Sequence, residues 1–216
     1  MTITDNQLSP VRQAHILSKF LSDDTTPELS IPYKSDTHVI ATNSHYALFL
    51  LNNVLNSNYT KEYTNIVDAD SKLLKMYNTF IRKSTPSLIK IELNSKHLEE
   101  IIHALIRHQD EQNTKNTRTI LTYSKEYDEV EFKTVPNYYK TQKKSLHYTR
   151  PAHVSSSVTD FSVMLNTSYL INSLETQKQT DKYTTLEIDP SGRYVYLSNN
   201  HSSIVIMQLK DKEYTL

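Results

Sequence analysis

The chain has 216 residues, with 24 Lys and Arg balanced by 24 Asp and Glu, so its formal net charge is zero. No overall field draws it to nucleic acid or to anionic membrane, and any polyanion contact must come from locally segregated charge. The absence of cysteine excludes disulfides and thiolate metal sites. One glycine, Gly192, is too few for phosphate-cradling loops, dinucleotide fingerprints or a nucleophile elbow. No basic-then-apolar leader opens the chain and no apolar run approaches transmembrane length, so a soluble cytoplasmic protein without membrane contact is expected.

In chain order, the first helix is predicted over Leu8–Leu21. It starts at Ser9-Pro10 and places Leu8, Val11, Leu17 and Leu21 on an apolar side. "THVIATNSHYALFLL" (Thr37–Leu51) reads as an apolar strand that breaks at the polar corner Thr42-Asn43-Ser44-His45 and then resumes. The polar stretch from Asn52 to Asn65 leads to a second helix over Asp68–Lys83, with Leu73, Tyr77, Phe80 and Ile81 in an apolar row. A domain boundary is placed near Thr85-Pro86, giving an N-terminal unit over 1–85, reduced in size, and a C-terminal unit over 86–216.

After it, the strand "SLIKIEL" precedes the clearest helix, "NSKHLEEIIHALIRH", in which Leu98, Ile101, Ile102 and Leu105 recur at helical spacing. "RTILTYS" and "DEVEFKTV" follow as strands. A polar, proline-bounded connector over Pro136–Thr159 has room for one edge strand. Then the order recurs: "DFSVML", a short helix with Leu170, Ile171 and Leu174, and the strands "YTTLEID", "RYVYLS" and "SSIVIMQL", with Gly192 in a turn. Strand–helix–strand–strand–strand therefore occurs twice, with a period of about 70 residues, longer than solenoid repeats.

This order resembles the DNA sliding clamps, in particular the bacterial β-clamp type. "FSVMLNTSYLINSLE" with the three strands after it is similar to the last half-domain of that family, and "HVIATNSHYAL" is similar to its "V-A-T-D-G-H-R-L-A" strand corner. Asn43-Ser44 stands where the family has Asp-Gly, and Tyr46 where it has Arg. The resemblance implies an α+β fold of the DNA-clamp (processivity) type, with repeated strand–helix–strand units, antiparallel sheets outside and helices lining a central hole. Room for two domains resembles the subunits of phage T4-type and eukaryotic clamps, which close as trimeric rings.

Cations recur along one side of each of the first three helices: Arg12, His15 and Lys19; Lys72, Lys75 and Arg82; and Lys96, His103 and Arg107, interrupted by Glu100. A solvated amphipathic face produces the same pattern. The resemblance implies instead that these residues approach duplex phosphates without reading bases. Lys140, Lys143, Lys144, His147 and Arg150, interleaved with Tyr138, Tyr139 and Tyr148, form a second basic candidate, or a solvated basic loop. The resemblance also implies a hydrophobic peptide pocket walled by Thr42, His45 and Tyr46 and by Val205, Ile206, Met207 and Leu209, although alternation alone makes the latter run a buried strand.

Catalytic patterns are lacking. His97 and His103 are six apart in "HLEEIIH" and face different sides of a helix, so they cannot share a zinc. Asp68 with Asp70, and Glu99 with Glu100, read as caps and solvated-face residues. The expectation is a non-enzymatic clamp of phage type with no cofactor or metal, a processivity factor whose partners are double-stranded DNA, a DNA polymerase and other clamp-binding proteins. Its form would be a homo-oligomeric ring, with a trimer favoured. The alternative is a clamp-fold mimic that binds host replication proteins without encircling DNA.

Overall fold

The computed structural model describes residues 7–22, 29–55, 67–68, 89–112, 117–135, 147–154, 159–188 and 194–209. Among them the order is α1 (Pro10–Ser18), β1 (Tyr33–Lys34), β2 (His38–Thr42), β3 (Tyr46–Leu51), β4 (Val67–Asp68), β5 (Ile89–Asn94) and α2 (Ser95–Gln112). Next come β6 (Arg118–Ser124), β7 (Glu129–Val135), β8 (His147–Pro151), β9 (His153–Val154), β10 (Phe161–Asn166), α3 (Thr167–Thr180), β11 (Tyr183–Ile188), β12 (Tyr194–Ser198) and β13 (Ser202–Met207). The chain divides into two compact units, one of residues 1–84 with 198–205 and the other of 85–197 with 206–216. The predicted second helix lies outside the described residues, apart from Asp68 in β4.

In the first unit, α1 starts as its sequence requires. The Ser9 hydroxyl accepts from the Arg12 amide at 3.4 Å and Pro10 occupies the first turn. The buried face agrees with the expected one at Leu8 and Leu17 and differs at Val11. Gln13, Ile16 and Leu17, followed by Phe20, turn inward, whereas Val11 is 80% exposed. The spacing 13, 16, 17, 20 is itself a helical stripe, and Val11 lies off it. The strands run β4-β1-β2-β3, with β13 beside β3. β2 and β3 pair antiparallel from His38↔Leu51 to Thr42↔Ala47, so the interrupted strand is a hairpin, buried through most of both arms.

The second unit is built from the sequence repeat. Its sheets run β12-β11-β5-β9 and β10-β6-β7-β8. Each copy gives its first strand to the other copy's sheet. β5 pairs with β11 over Ile89↔Ile188 to Asn94↔Tyr183, and β10 pairs with β6 over Phe161↔Tyr123 to Asn166↔Arg118. Exchanged strands lock the two copies into one core. The helices that follow those strands, α2 and α3, pack on each other. Leu98, Ile101, Ile102 and Leu105 of α2 and Leu170, Ile171 and Leu174 of α3 are buried, each contributing on the order of 1.5–3 kcal/mol of transfer free energy. The connector supplies two edge strands rather than one, β8 on one sheet and β9 on the other.

Candidate functional site

The strand corner closes without glycine. Ser44 has φ 73°, the left-handed region where a hairpin's first central residue is ordinarily glycine. The side chain of Asn43 compensates, its Oδ1 accepting from the amides of His45 at 3.0 Å and Tyr46 at 3.2 Å. Thr42 Oγ1 donates to the Tyr46 carbonyl at 2.9 Å and accepts from the Ser44 amide at 3.2 Å. The same device recurs in the first unit at Asn199, whose Oδ1 accepts from the amides of His201 and Ser202 at 2.8 Å each.

Of the expected peptide-pocket residues, the corner leaves His45 exposed and buries Thr42 and Tyr46. The Tyr46 ring lies 4.6 Å from Phe20, centroid to centroid, and its hydroxyl donates to the carbonyl of Lys19, which caps the C-terminus of α1. On the later segment Val205 and Ile206 are buried, Met207 is 44% exposed and Leu209 is half-buried, its amide bonding the Met164 carbonyl at 2.8 Å.

Of the expected DNA-contacting residues, Arg12, Lys96 and Arg107 are exposed and Lys19 is half-exposed. Lys72, Lys75, Arg82, Lys143 and Lys144 lie outside the described residues. The outer face of α2 is not simply basic. Exposed Glu99 and Glu100 sit among Lys96, His103 and Arg107. Lys178 of α3 pairs with Glu99 at 3.2 Å, Arg150 of β8 pairs with Glu100 at 2.8 Å, and Lys96 approaches Glu100 at 4.0 Å.

Arg150 and Tyr148, assigned by sequence to a basic loop candidate, are instead strand residues engaged with α2. The Tyr148 hydroxyl donates to Glu100 at 2.8 Å and accepts from Arg150, whose guanidinium lies 4.6 Å from the Tyr148 ring centroid. Long-range pairing of this kind, with Glu100 and Arg150 50 positions apart, leaves no local sequence signal. The hydrogen bond from Tyr148, reinforced by Arg150 and Lys96, holds the Glu100 carboxyl below the usual carboxylate range against a smaller desolvation effect. Burial, with the hydrogen bond to Glu100, raises the Tyr148 phenol. Burial lowers His97, and the Arg150 charge lowers it further.

Among the described residues no group of three or more His, Asp or Glu side chains is arranged to hold a metal ion, and no helix is long and apolar enough to cross a membrane.

No family model matches the chain, and no curated protein matches it in sequence. Solved structures do match. The DNA polymerase III subunit beta from Pseudomonas aeruginosa aligns with 98% of this chain and 68% of its own length, at a TM-score of 0.62 and 10% identity. The corresponding subunit from Borrelia burgdorferi, solved with a natural product, aligns with 94% of this chain and 62% of its own, at a TM-score of 0.61 and 13% identity. The beta subunit from Streptococcus pyogenes aligns with 97% and 67%, at a TM-score of 0.55 and 14% identity. The chain thus has the sliding-clamp fold and spans about two thirds of the length of these subunits.

Proposed function

We propose that the protein is a sliding-clamp-like processivity factor, a non-enzymatic ring of identical chains that encircles duplex DNA and tethers a DNA polymerase. The observation that carries this reading is the structural match to beta subunits of DNA polymerase III across nearly the whole chain. The repeat supports it, since two copies with exchanged first strands bring two helices together, the unit from which such a ring is composed. Contacts with phosphates are assigned to Arg12, Lys19, Lys96 and Arg107, and to Lys72, Lys75, Arg82, Lys143 and Lys144. They would act by counterion release without base readout.

Peptide contacts are assigned to two segments taken separately. His45 is the accessible member of the corner and Met207 of the last strand, whereas Thr42, Tyr46, Val205 and Ile206 contribute by shaping their own segments and Leu209 by its partly exposed side chain. Tyr46 in place of the family's Arg argues for a changed peptide preference.

The second reading is a clamp-fold protein that binds replication proteins without encircling DNA. Glu99 and Glu100 on the outer face of α2 favour it, because they offset the charge a DNA-facing helix requires. Sedimentation over a wide concentration range separates the two. Three copies of the 25.1 kDa chain weigh about 75 kDa, and a stable species of that mass supports a ring. A monomer at every concentration gives the second reading the lead.

A further inference from the structure

Glu99 and Glu100 are adjacent on the outer face of α2, with side chains 52% and 41% exposed. Two carboxylates on a face that meets a phosphate backbone repel it. Each, however, is held by a cation from a different element, Glu99 by Lys178 of α3 and Glu100 by Arg150 of β8. Exposed ion pairs ordinarily fluctuate, because fixing two long side chains offsets the Coulomb gain. Arg150 is restrained from three directions. Its side chain is 22% exposed, its guanidinium stacks on Tyr148, and both Arg150 and Tyr148 donate to the same oxygen of Glu100.

Resting on the clamp reading above, we propose that Glu99 and Glu100 are restraint residues for DNA. They occupy Lys178 and Arg150, and Glu100 also lies 4.0 Å from Lys96, so that α2 engages the duplex through Arg107 and a partly offset Lys96, with only part of the positive charge the surface carries. A tether that must slide gains from shallow phosphate contacts, since each cation engaged adds counterion release that must be reversed at every step.

The test is binding of a short fluorescein-labelled duplex, followed by anisotropy between about 0.05 and 0.2 M salt, where phosphate contacts dominate. Glu99→Gln with Glu100→Gln should tighten binding several-fold at the low-salt end, and should steepen the log–log salt slope by about 1–2, for one or two cations released to phosphate. Adding Arg150→Met to Glu100→Gln should return affinity towards the parent. Glu126→Gln, on the exposed turn after β6, makes the same formal charge change as either single substitution and should leave binding unchanged.

No tightening in the double variant, or equal tightening from Glu126→Gln, overturns the proposal. Lys96→Gln and Arg107→Gln report on the clamp reading separately. If they weaken the parent's binding while the glutamate variants change nothing, only the restraint fails. If parent and variants alike show no duplex binding, both fall. Thermal melting of each variant establishes that the fold is retained.

Discussion

Asn43 and Asn199 close two turns of the first unit in the same way, each side-chain oxygen accepting from the amides two and three residues on. In a chain with one glycine, these two tight turns are made with asparagine. The asparagine side chain satisfies amides that a sharp reversal would otherwise leave unpaired, and it offsets the left-handed backbone of Ser44. Replacing Asn43 by Ala should destabilise the protein by about 1 kcal/mol in urea denaturation, while Asp, which keeps the acceptor, should cost less. Ser44→Gly should be neutral or stabilising by up to about 1 kcal/mol, and Ser44→Val should be destabilising. Stabilisation by Val would refute the backbone assignment.

Tyr46 ties the corner to α1 through its ring on Phe20 and its hydroxyl on the Lys19 carbonyl. Tyr46→Phe removes only the hydrogen bond and should cost on the order of 1 kcal/mol. Tyr46→Ala also opens a cavity and should cost about 3–5 kcal/mol by chemical denaturation. Equal costs would mean that the ring contact contributes nothing.

The packing of α2 on α3 carries the core of the second unit. Leu105 and Leu174 are fully buried, so Leu105→Ala and Leu174→Ala should each lower unfolding free energy by about 2–5 kcal/mol. Val11→Ala, at an 80% exposed position, should change it by less than about 0.5 kcal/mol. The contrast between Val11 and the buried leucines is the useful readout.

Acid should weaken the second unit through His97 before it weakens it through Glu100. The folded-state value of His97 lies below the ordinary 6.5, mainly from burial, so the unfolded chain takes up more protons and stability falls as pH drops below that range. Glu100, held below the ordinary carboxylate value by the Tyr148 hydrogen bond, contributes stability above that value and loses it as pH falls through its lower folded value. Thermal melts across pH 4–7 should show His97→Gln flattening the upper part of the decline, and Glu100→Gln acting mainly at the acid end, with a smaller change in the upper part because the Glu100 charge raises His97. An unchanged profile in His97→Gln would reject the first assignment.

Much of the second unit was legible because its elements are half-buried and alternate. The limits expected for β6 coincide with Arg118–Ser124, and all seven apolar positions named for α2 and α3 are buried. Strand exchange was not legible. The repeat reveals like segments, but nothing in either copy says that β5 will pair with β11 rather than within its own half. On α1, hydrophobicity pointed to Val11, whereas buried Gln13, its Nε2 donating to the Leu8 carbonyl at 3.2 Å, takes the inward position. At the candidate site, the cation stripe on α2 was readable as spacing. The pairing of Glu99 and Glu100 with Lys178 and Arg150 depends on contacts between distant segments, which spacing does not encode.

The central claim is topological, and retention on end-blocked DNA tests it directly. The protein would be threaded onto linear duplex through its open ends, both ends then blocked by streptavidin on terminal biotins, and the complex passed through a sizing column at elevated salt, where simple phosphate contacts dissociate. A ring predicts that protein stays with doubly blocked DNA and is lost when one end is left open. Equal loss from both, or equal retention on both, would contradict encirclement.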